Sequence, residues 1–336
     1  MTESKLTGIR LLRKGRYFFA CALFFLGIAA LVVPPGRLSG WTPAARIQEQ
    51  TVTLDVSVID PDPEAYGSLT KEEFAVYEDG VTQEVISLRA QDAPFSLGIA
   101  IDASGSMREQ LPLMQKVAVD MISYMGAADE AFVAAFTARS QVIQEFTDEQ
   151  RSLATAVRQI YANGSTSLLD AIESTAGYAY EKGKHRRKAL LFITDGLEKG
   201  SFANEEQAVS ALLESQEQAY FLCLPIQVSR PFSGTKTVLK PREQVDRIAR
   251  ATGGQSFYLR DAEGTTETAA KIVGSLRHQY EITYAPTSNK QNGKFRKVKV
   301  VVSPKDGRKL DVITRQGYYG PGHKKKSEKG DGMIKS

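Results

Sequence analysis

Cysteine is nearly absent from this chain of 336 residues: there are two, Cys21 and Cys223. The first lies in an apolar run and the second in "AYFLCLPI", where it reads as a small buried hydrophobe. No disulfide framework and no cysteine metal site can be built from them. Histidine is equally scarce, at three, which argues against a zinc centre. No Gly-x-Gly-x-x-Gly and no Gly-x-x-x-x-Gly-Lys occurs, so no nucleotide cofactor is expected. A basic body is missing too. Residues 1–46 carry a net +6 and the stretch from His323 a net +3, which leaves −5 on residues 47–322 out of a total of +4. The chain has no basic face suited to nucleic acid.

What is present begins with an export signature. Lys5, Arg10, Arg13, Lys14 and Arg16 precede "YFFACALFFLGIAALVV", residues 17–33, and Pro34-Pro35 follow. The run is long for a signal-peptide core and just long enough to span a membrane. The basic flank places the N-terminus in the cytoplasm and the body outside it. Both a membrane anchor and a cleaved signal fit, the latter giving a periplasmic or secreted protein.

From Phe95 to about Tyr280, apolar strands alternate with amphipathic helices. Strands are expected at "FSLGIAI", "AFVAAFT", "QVIQEF", "KALLFIT", "AYFLCLPIQV" and "QSFYL", and helices over 109–125, 148–160, 168–182, 204–218, 241–251 and 265–280. This is the pattern of a doubly wound, mostly parallel six-stranded α/β sheet covered on both faces. The link "TARS" is too short for a crossover, so its two strands must pair antiparallel at one edge. The flanks, 47–94 and 281–320, alternate with period two instead, and a turn is expected at Glu78-Asp79-Gly80. Neither flank alone makes a satisfactory sheet, so both are expected to form one small β-sandwich with the α/β unit of 95–280 inserted between its halves. Residues 321–336 are too polar to fold.

Three segments stand out. "GIAID" places Asp102 at the end of the first α/β strand, with Ser104 and Ser106 next at alternate positions. "LLFITDG" places Asp195 at the end of the fourth, and "NGSTSLLDAI" lies between them in sequence. In the order 3-2-1-4-5-6, strands one and four are neighbours where the order reverses, and ligands bind in the crevice outside that point. Each segment alone also fits a turn or a helix N-cap. Oxygen-only donors with two carboxylates suit a hard divalent ion such as Mg²⁺ or Mn²⁺, with Ca²⁺ fitting as well.

The ordered set Asp-x-Ser-x-Ser, then Thr in "STSLLDAI", then "TDG" resembles the metal-ion-dependent adhesion site of von Willebrand factor A-type domains. The flanks resemble those of exported bacterial proteins related to that family. The resemblance implies metal ligation by Asp102, Ser104, Ser106, Thr166 and Asp195. Asn163-Gly164-Ser165 stands where the family usually has Gly-Gly before the threonine, and Thr166 is assigned by its spacing to Asp170. Ser165 and Asp170 fall just outside that ligand set, Asp170 also fitting a first-turn acid favoured by the helix dipole. A protein ligand with an exposed acidic residue is the implied partner.

Other clusters read as solvated loops, "DPDPE" at 60–64 and the basic "KHRRK" at 184–188 among them, and "GYYG" at 317–320 as sandwich packing. A hydrolase using the same crevice is disfavoured, because no general base accompanies the cluster and no Gly-x-Ser-x-Gly elbow occurs. A binding module, not an enzyme, is expected. A cell-envelope scaffold with a structural metal is the alternative that remains.

Overall fold

The computed structural model describes residues 51–59, 68–224, 241–259, 264–288 and 290–323. The apolar run at 17–33, "DPDPE" at 60–64 and residues 324–336 lie outside the described residues. Among the described residues, no helix is long and apolar enough to cross a membrane.

Strands β1 (Val52–Ile59), β2 (Phe74–Glu78), β3 (Val81–Gln83) and β4 (Val85–Asp92) come first. The α/β unit then runs β5 (Phe95–Asp102), α1 (Leu111–Tyr124), β6 (Glu130–Phe136), β7 (Ser140–Thr147), α2 (Gln150–Gln159), α3 (Leu168–Lys182) and β8 (Arg187–Thr194). It continues through α4 (Glu205–Ser215), β9 (Glu217–Cys223), α5 (Pro241–Thr252), β10 (Ser256–Tyr258) and α6 (Thr265–Arg277). The chain returns through β11 (His278–Tyr284), β12 (Phe295–Val302), β13 (Asp311–Ile313) and β14 (Gly317–Tyr319).

The central sheet has the order β10-β9-β8-β5-β6-β7, the order expected from the sequence read from the opposite edge. β5 pairs in parallel with both β6 and β8, and β7 pairs antiparallel with β6 at the edge. Every residue of β5 is buried, because alternate side chains feed two separate cores. Leu97, Ile99 and Ile101 pack with Met114, Val117 and Met121 of α1 and with Ile272 and Leu276 of α6. On the other face Ala100, Leu190 and Phe192 meet Leu168 and Ile172 of α3, Leu212 of α4 and Ile248 of α5. Gly98 sits where a Cβ would collide with Leu190 and with the Phe132 ring, so these two large side chains fill its place.

The flanks form two four-stranded sheets, β13-β1-β11-β4 and β14-β12-β2-β3, each built from strands before and after the α/β unit. Leu54, Val56, Tyr280 and Ile282 of one sheet share a core with Val76, Val298 and Val300 of the other. The Asp79-Gly80 turn has φ of 49° and 82°, the left-handed pair that a two-residue hairpin requires. The sequence after it divides: Val81–Gln83 pairs with β2, and Val85–Asp92 crosses to the other sheet. Within the core, the Glu78 carboxylate accepts hydrogen bonds from Arg296 (3.0 Å), Tyr284 (2.7 Å) and Tyr318 (2.7 Å). "GYYG" thus contributes a buried polar contact as well as packing.

Several expectations need correction. The helix expected over 265–280 stops at Arg277, because His278 already pairs with Asp92 and the Tyr280 ring packs 5.2 Å from Phe74 in the sandwich. The helix expected over 204–218 stops at Ser215, where Gln216 turns left-handed (φ 58°) and Glu217 enters β9 opposite Lys188. Pro321 and His323, read as tail, are held in the fold: Pro321 accepts from the Gly293 amide (2.8 Å), and His323 Nε2 lies 2.9 Å from Glu214. The basic "KHRRK" is only in part a solvated loop: Lys184 and Arg186 are exposed there, but Arg187 and Lys188 open β8. Arg186 forks onto Asp55 (3.1 and 2.6 Å) and reaches Glu281 (2.7 Å). Arg187 is buried and donates to the carbonyls of Leu276 and Arg277 (3.2 and 3.1 Å). These contacts fasten the sandwich to the amino ends of the central strands and leave the carboxyl ends to the loops described next.

Candidate functional site

The crevice follows from strand order. Because Ile101 pairs with Ile193, the ends of β5 and β8 lie side by side and present Asp102 next to Thr194 and Asp195. Asp102 is fully buried, and both of its oxygens are committed. One accepts the Ser104 amide (3.0 Å) and the other the Thr194 hydroxyl (2.7 Å). The Thr194 hydroxyl in turn accepts the Gly196 amide (3.0 Å), so the "TDG" turn is tied to Asp102. Asp195, also buried, accepts the Leu197 amide at 2.9 Å. The hydroxyls of Ser104 and Ser106 lie 3.0 Å apart, the first buried and the second exposed.

The middle loop is latched onto the first by backbone bonds. The Asn163 amide donates to Ala103 (2.7 Å), the Gly105 amide to Gly164 (2.9 Å) and the Ser167 amide to Thr137 in the β6–β7 turn (2.9 Å). Gly164 takes φ of 98°, a conformation that favours glycine. Thr166 is fully buried, and its hydroxyl has no hydrogen-bond partner. An unpartnered buried hydroxyl costs free energy unless something outside the protein satisfies it. Ser165 is exposed at the turn. Asp170 does not turn to the two carboxylates, since its oxygens accept the amides of Phe202 (3.1 Å) and Ala203 (2.8 Å). It braces the loop that follows Asp195.

Electrostatics mark the same spot. Burial pushes the Asp102 carboxyl up to about 6, and the nearby Asp195 charge adds to the shift. Burial likewise raises Asp195, while the Lys199 ammonium partly offsets it. Two carboxylates that ionise reluctantly would be relieved by a dication. Among the described residues, no group of three or more His, Cys, Asp or Glu is gathered. A cation here would therefore be held by the Asp102 and Asp195 carboxylates with hydroxyls of Ser104, Ser106 and Thr166, and the residues present fit such an ion.

Two supporting residues escaped the sequence reading. Thr194 could have been suspected from its place beside the aspartate at a strand end. Glu198 could not, because its partners are distant in the chain. Its carboxylate accepts the amides of Leu169 (3.0 Å), Gly200 (2.8 Å) and Ser201 (2.7 Å). Burial would raise this carboxyl, but these amides outweigh burial and hold it below the usual range.

Residues 97–198, which contain all five candidate ligands, match the von Willebrand factor type A domain. The chain carries a von Willebrand factor type A domain. Domains of this type mediate protein–protein interactions. Similar solved structures include the von Willebrand factor type A protein of Catenulispora acidiphila, at 14% identity over 74% of each chain with a TM-score of 0.47. An aerotolerance-related membrane protein from Bacteroides fragilis is 18% identical over 54% of this chain and 98% of that one, with a TM-score of 0.43. Proximal thread matrix protein 1 of the mussel byssus is 13% identical over 60% of this chain and 51% of that one, with a TM-score of 0.46. No curated protein matches the sequence.

Proposed function

We propose that the von Willebrand factor type A domain holds a divalent cation, Mg²⁺ before Mn²⁺ or Ca²⁺, and uses it to bind an acidic residue of a protein partner. The observation that carries this reading is the buried Thr166 hydroxyl without a partner, in a loop latched to the one that follows Asp102. Protein hydrogen bonds already orient Asp102, Asp195 and Thr194, so the donors are arranged before any ion arrives. With only two carboxylates, a bound dication stays electrophilic and can exchange a water for an incoming carboxylate. The crevice is a docking device in this reading, and no turnover of phosphate or ester substrates is expected. The basic flank and apolar run at 17–33 support a body outside the cytoplasm, anchored or released by cleavage. Protease shaving of intact cells, with sequencing of the mature N-terminus, tests that placement.

Isothermal titration of the full chain with Mg²⁺, Mn²⁺ and Ca²⁺ tests the site. Saturable binding that Asp102→Ala abolishes is the expected result. Equal divalent affinity in the two proteins would reduce the Asp102 turn to a structural cap.

A further inference from the structure

The rim of the crevice carries two aromatic side chains that the fold does not use. Phe202 is 100% exposed and Tyr161 77% exposed. They stand on two of the loops that build the site. Tyr161 stands two residues before Asn163, whose amide is bonded to Ala103. Phe202 stands two residues after Gly200, whose Cβ position is 3.8 Å from the Thr166 carbonyl. An exposed phenylalanine on a wandering loop would mean little, but this loop is fixed. Glu198 accepts the amides of Gly200 and Ser201, and Asp170 accepts the amide of Phe202 itself. The ring is presented by a preorganised backbone, so seating a partner on it costs little ordering entropy. Large aromatic side chains with water-excluding surroundings are the usual anchors of protein interfaces.

Charge on the rim has one prevailing sign. Arg108 follows the serine pair, Arg139 sits in the β6–β7 turn that Ser167 is bonded to, and Lys199 lies in the loop after Asp195, all three exposed. Glu109 is the exposed acid on these same loops, while Glu198 is spent on backbone amides. A single carboxylate directed at the cation would leave the three cationic side chains unanswered.

We propose that Phe202 and Tyr161, together with Arg108, Arg139 and Lys199, form a recognition rim for a protein segment in which the carboxylate directed at the cation is accompanied by further acidic residues and by an exposed apolar side chain. This rests on the cation reading above and specifies its partner. Aromatic contact supplies the affinity, and the cations steer association and reject basic segments.

The test uses the full chain with Mg²⁺ and a set of short fluorescent peptides that share one central Asp. Their flanks are Leu with Glu, Ser with Glu, Leu with Ser, or Leu with Lys, and binding is read by anisotropy. The Leu-and-Glu peptide should bind tightest and the Leu-and-Lys peptide weakest. Phe202→Ser should weaken the best peptide about tenfold while the heat of Mg²⁺ binding and the melting temperature stay unchanged. Arg139→Glu should weaken it too, by a factor that shrinks as salt rises. If Mg²⁺ binds but the peptides do not differ, or Phe202→Ser changes nothing, the rim proposal is overturned and the metal site stands. If no Mg²⁺ binds yet the peptides still rank by flank and respond to Phe202→Ser, the rim stands and the metal reading falls. Neither metal binding nor peptide ranking would overturn both.

Discussion

Replacing Asp102 by asparagine should stabilise the metal-free protein at neutral pH. In the fold its carboxyl sits at about 6, against about 4 in the unfolded chain. Between those values the folded state keeps a proton that the unfolded state has lost, so stability falls as pH rises through this window. Above it, the ionised buried carboxylate costs about 3 kcal/mol relative to the unfolded chain, from about two units at 1.36 kcal/mol each. Asparagine is free of that cost. It still accepts the Ser104 amide, but it forfeits the bond accepted from Thr194, worth about 1 kcal/mol. The net gain is about 2 kcal/mol, which for a unit of this size corresponds to a rise of about 4–8 °C in melting temperature. The assay is thermal and urea unfolding in chelator, at neutral pH and near pH 4, with both proteins side by side. At the acidic end the advantage should vanish or reverse. Mg²⁺ at a hundred times its dissociation constant should then raise the wild type by about 2.7 kcal/mol and leave Asp102→Asn where it was. A variant less stable than wild type in chelator at neutral pH, with a pH-independent deficit, would refute the reasoning and make Asp102 a purely structural acceptor.

Thr166→Val keeps the shape but removes an unpartnered buried hydroxyl, so stability in chelator should hold or rise by about 1 kcal/mol. Divalent affinity by titration should fall about tenfold or more, as expected for losing one polar contact to a charge. Glu78→Ala removes the counter-charge of the buried Arg296 guanidinium, leaves it with the Ser288 and Lys290 carbonyls, and should cost about 3–5 kcal/mol in urea unfolding, whereas an unchanged midpoint would mean that those carbonyls satisfy Arg296 without the carboxylate. Gly98→Ala forces a methyl against Leu190 and Phe132 on the central strand and should cost about 1–3 kcal/mol. An unshifted melting temperature would mean that both side chains retreat freely.

Much of this arrangement was legible because it is written in local pattern. The apolar runs Leu97–Ile101 in β5 and Ala189–Ile193 in β8 announce a buried parallel pair, and the aspartates at their carboxyl ends, Asp102 and Asp195, announce the crevice. The short "TARS" link was enough to turn β7 antiparallel. What local pattern cannot show is who meets a charge from far along the chain. Arg186 looks like a solvated cation until Asp55, 131 residues earlier, arrives beside it. Glu198 looks like an ordinary loop acid until α3 brings the Leu169 amide to it. The α6 boundary failed for a related reason. Residues 278–280 continue a plausible helix, and only pairing with β1 and β4 makes them strand.

The placement of the two parts has a mechanical consequence. The chain enters the α/β unit from β4 and leaves it into β11, and these two strands pair with each other through His278 and Asp92. The unit is therefore clamped at its own insertion point, not hung from a single linker. β8 begins at the buried Arg187, bonded to the end of α6, and finishes at Thr194, bonded to Asp102. β5 is separated from β4 by two residues and finishes at Asp102 itself. A partner held at Asp102 and Asp195 would thus load two adjacent, paired central strands, of which β5 continues from the sandwich strand β4 and β8 is tied to the sandwich through Arg186. Load along such strands is shared by a whole ladder of backbone bonds, and rupture there requires breaking the core. A docking surface built only on exposed loops would lack that support. Here two of the loops start at the ends of the buried strands β5 and β8, the third joins α2 to α3, and they are held by Glu198, Asp170 and the latches at Asn163 and Gly105.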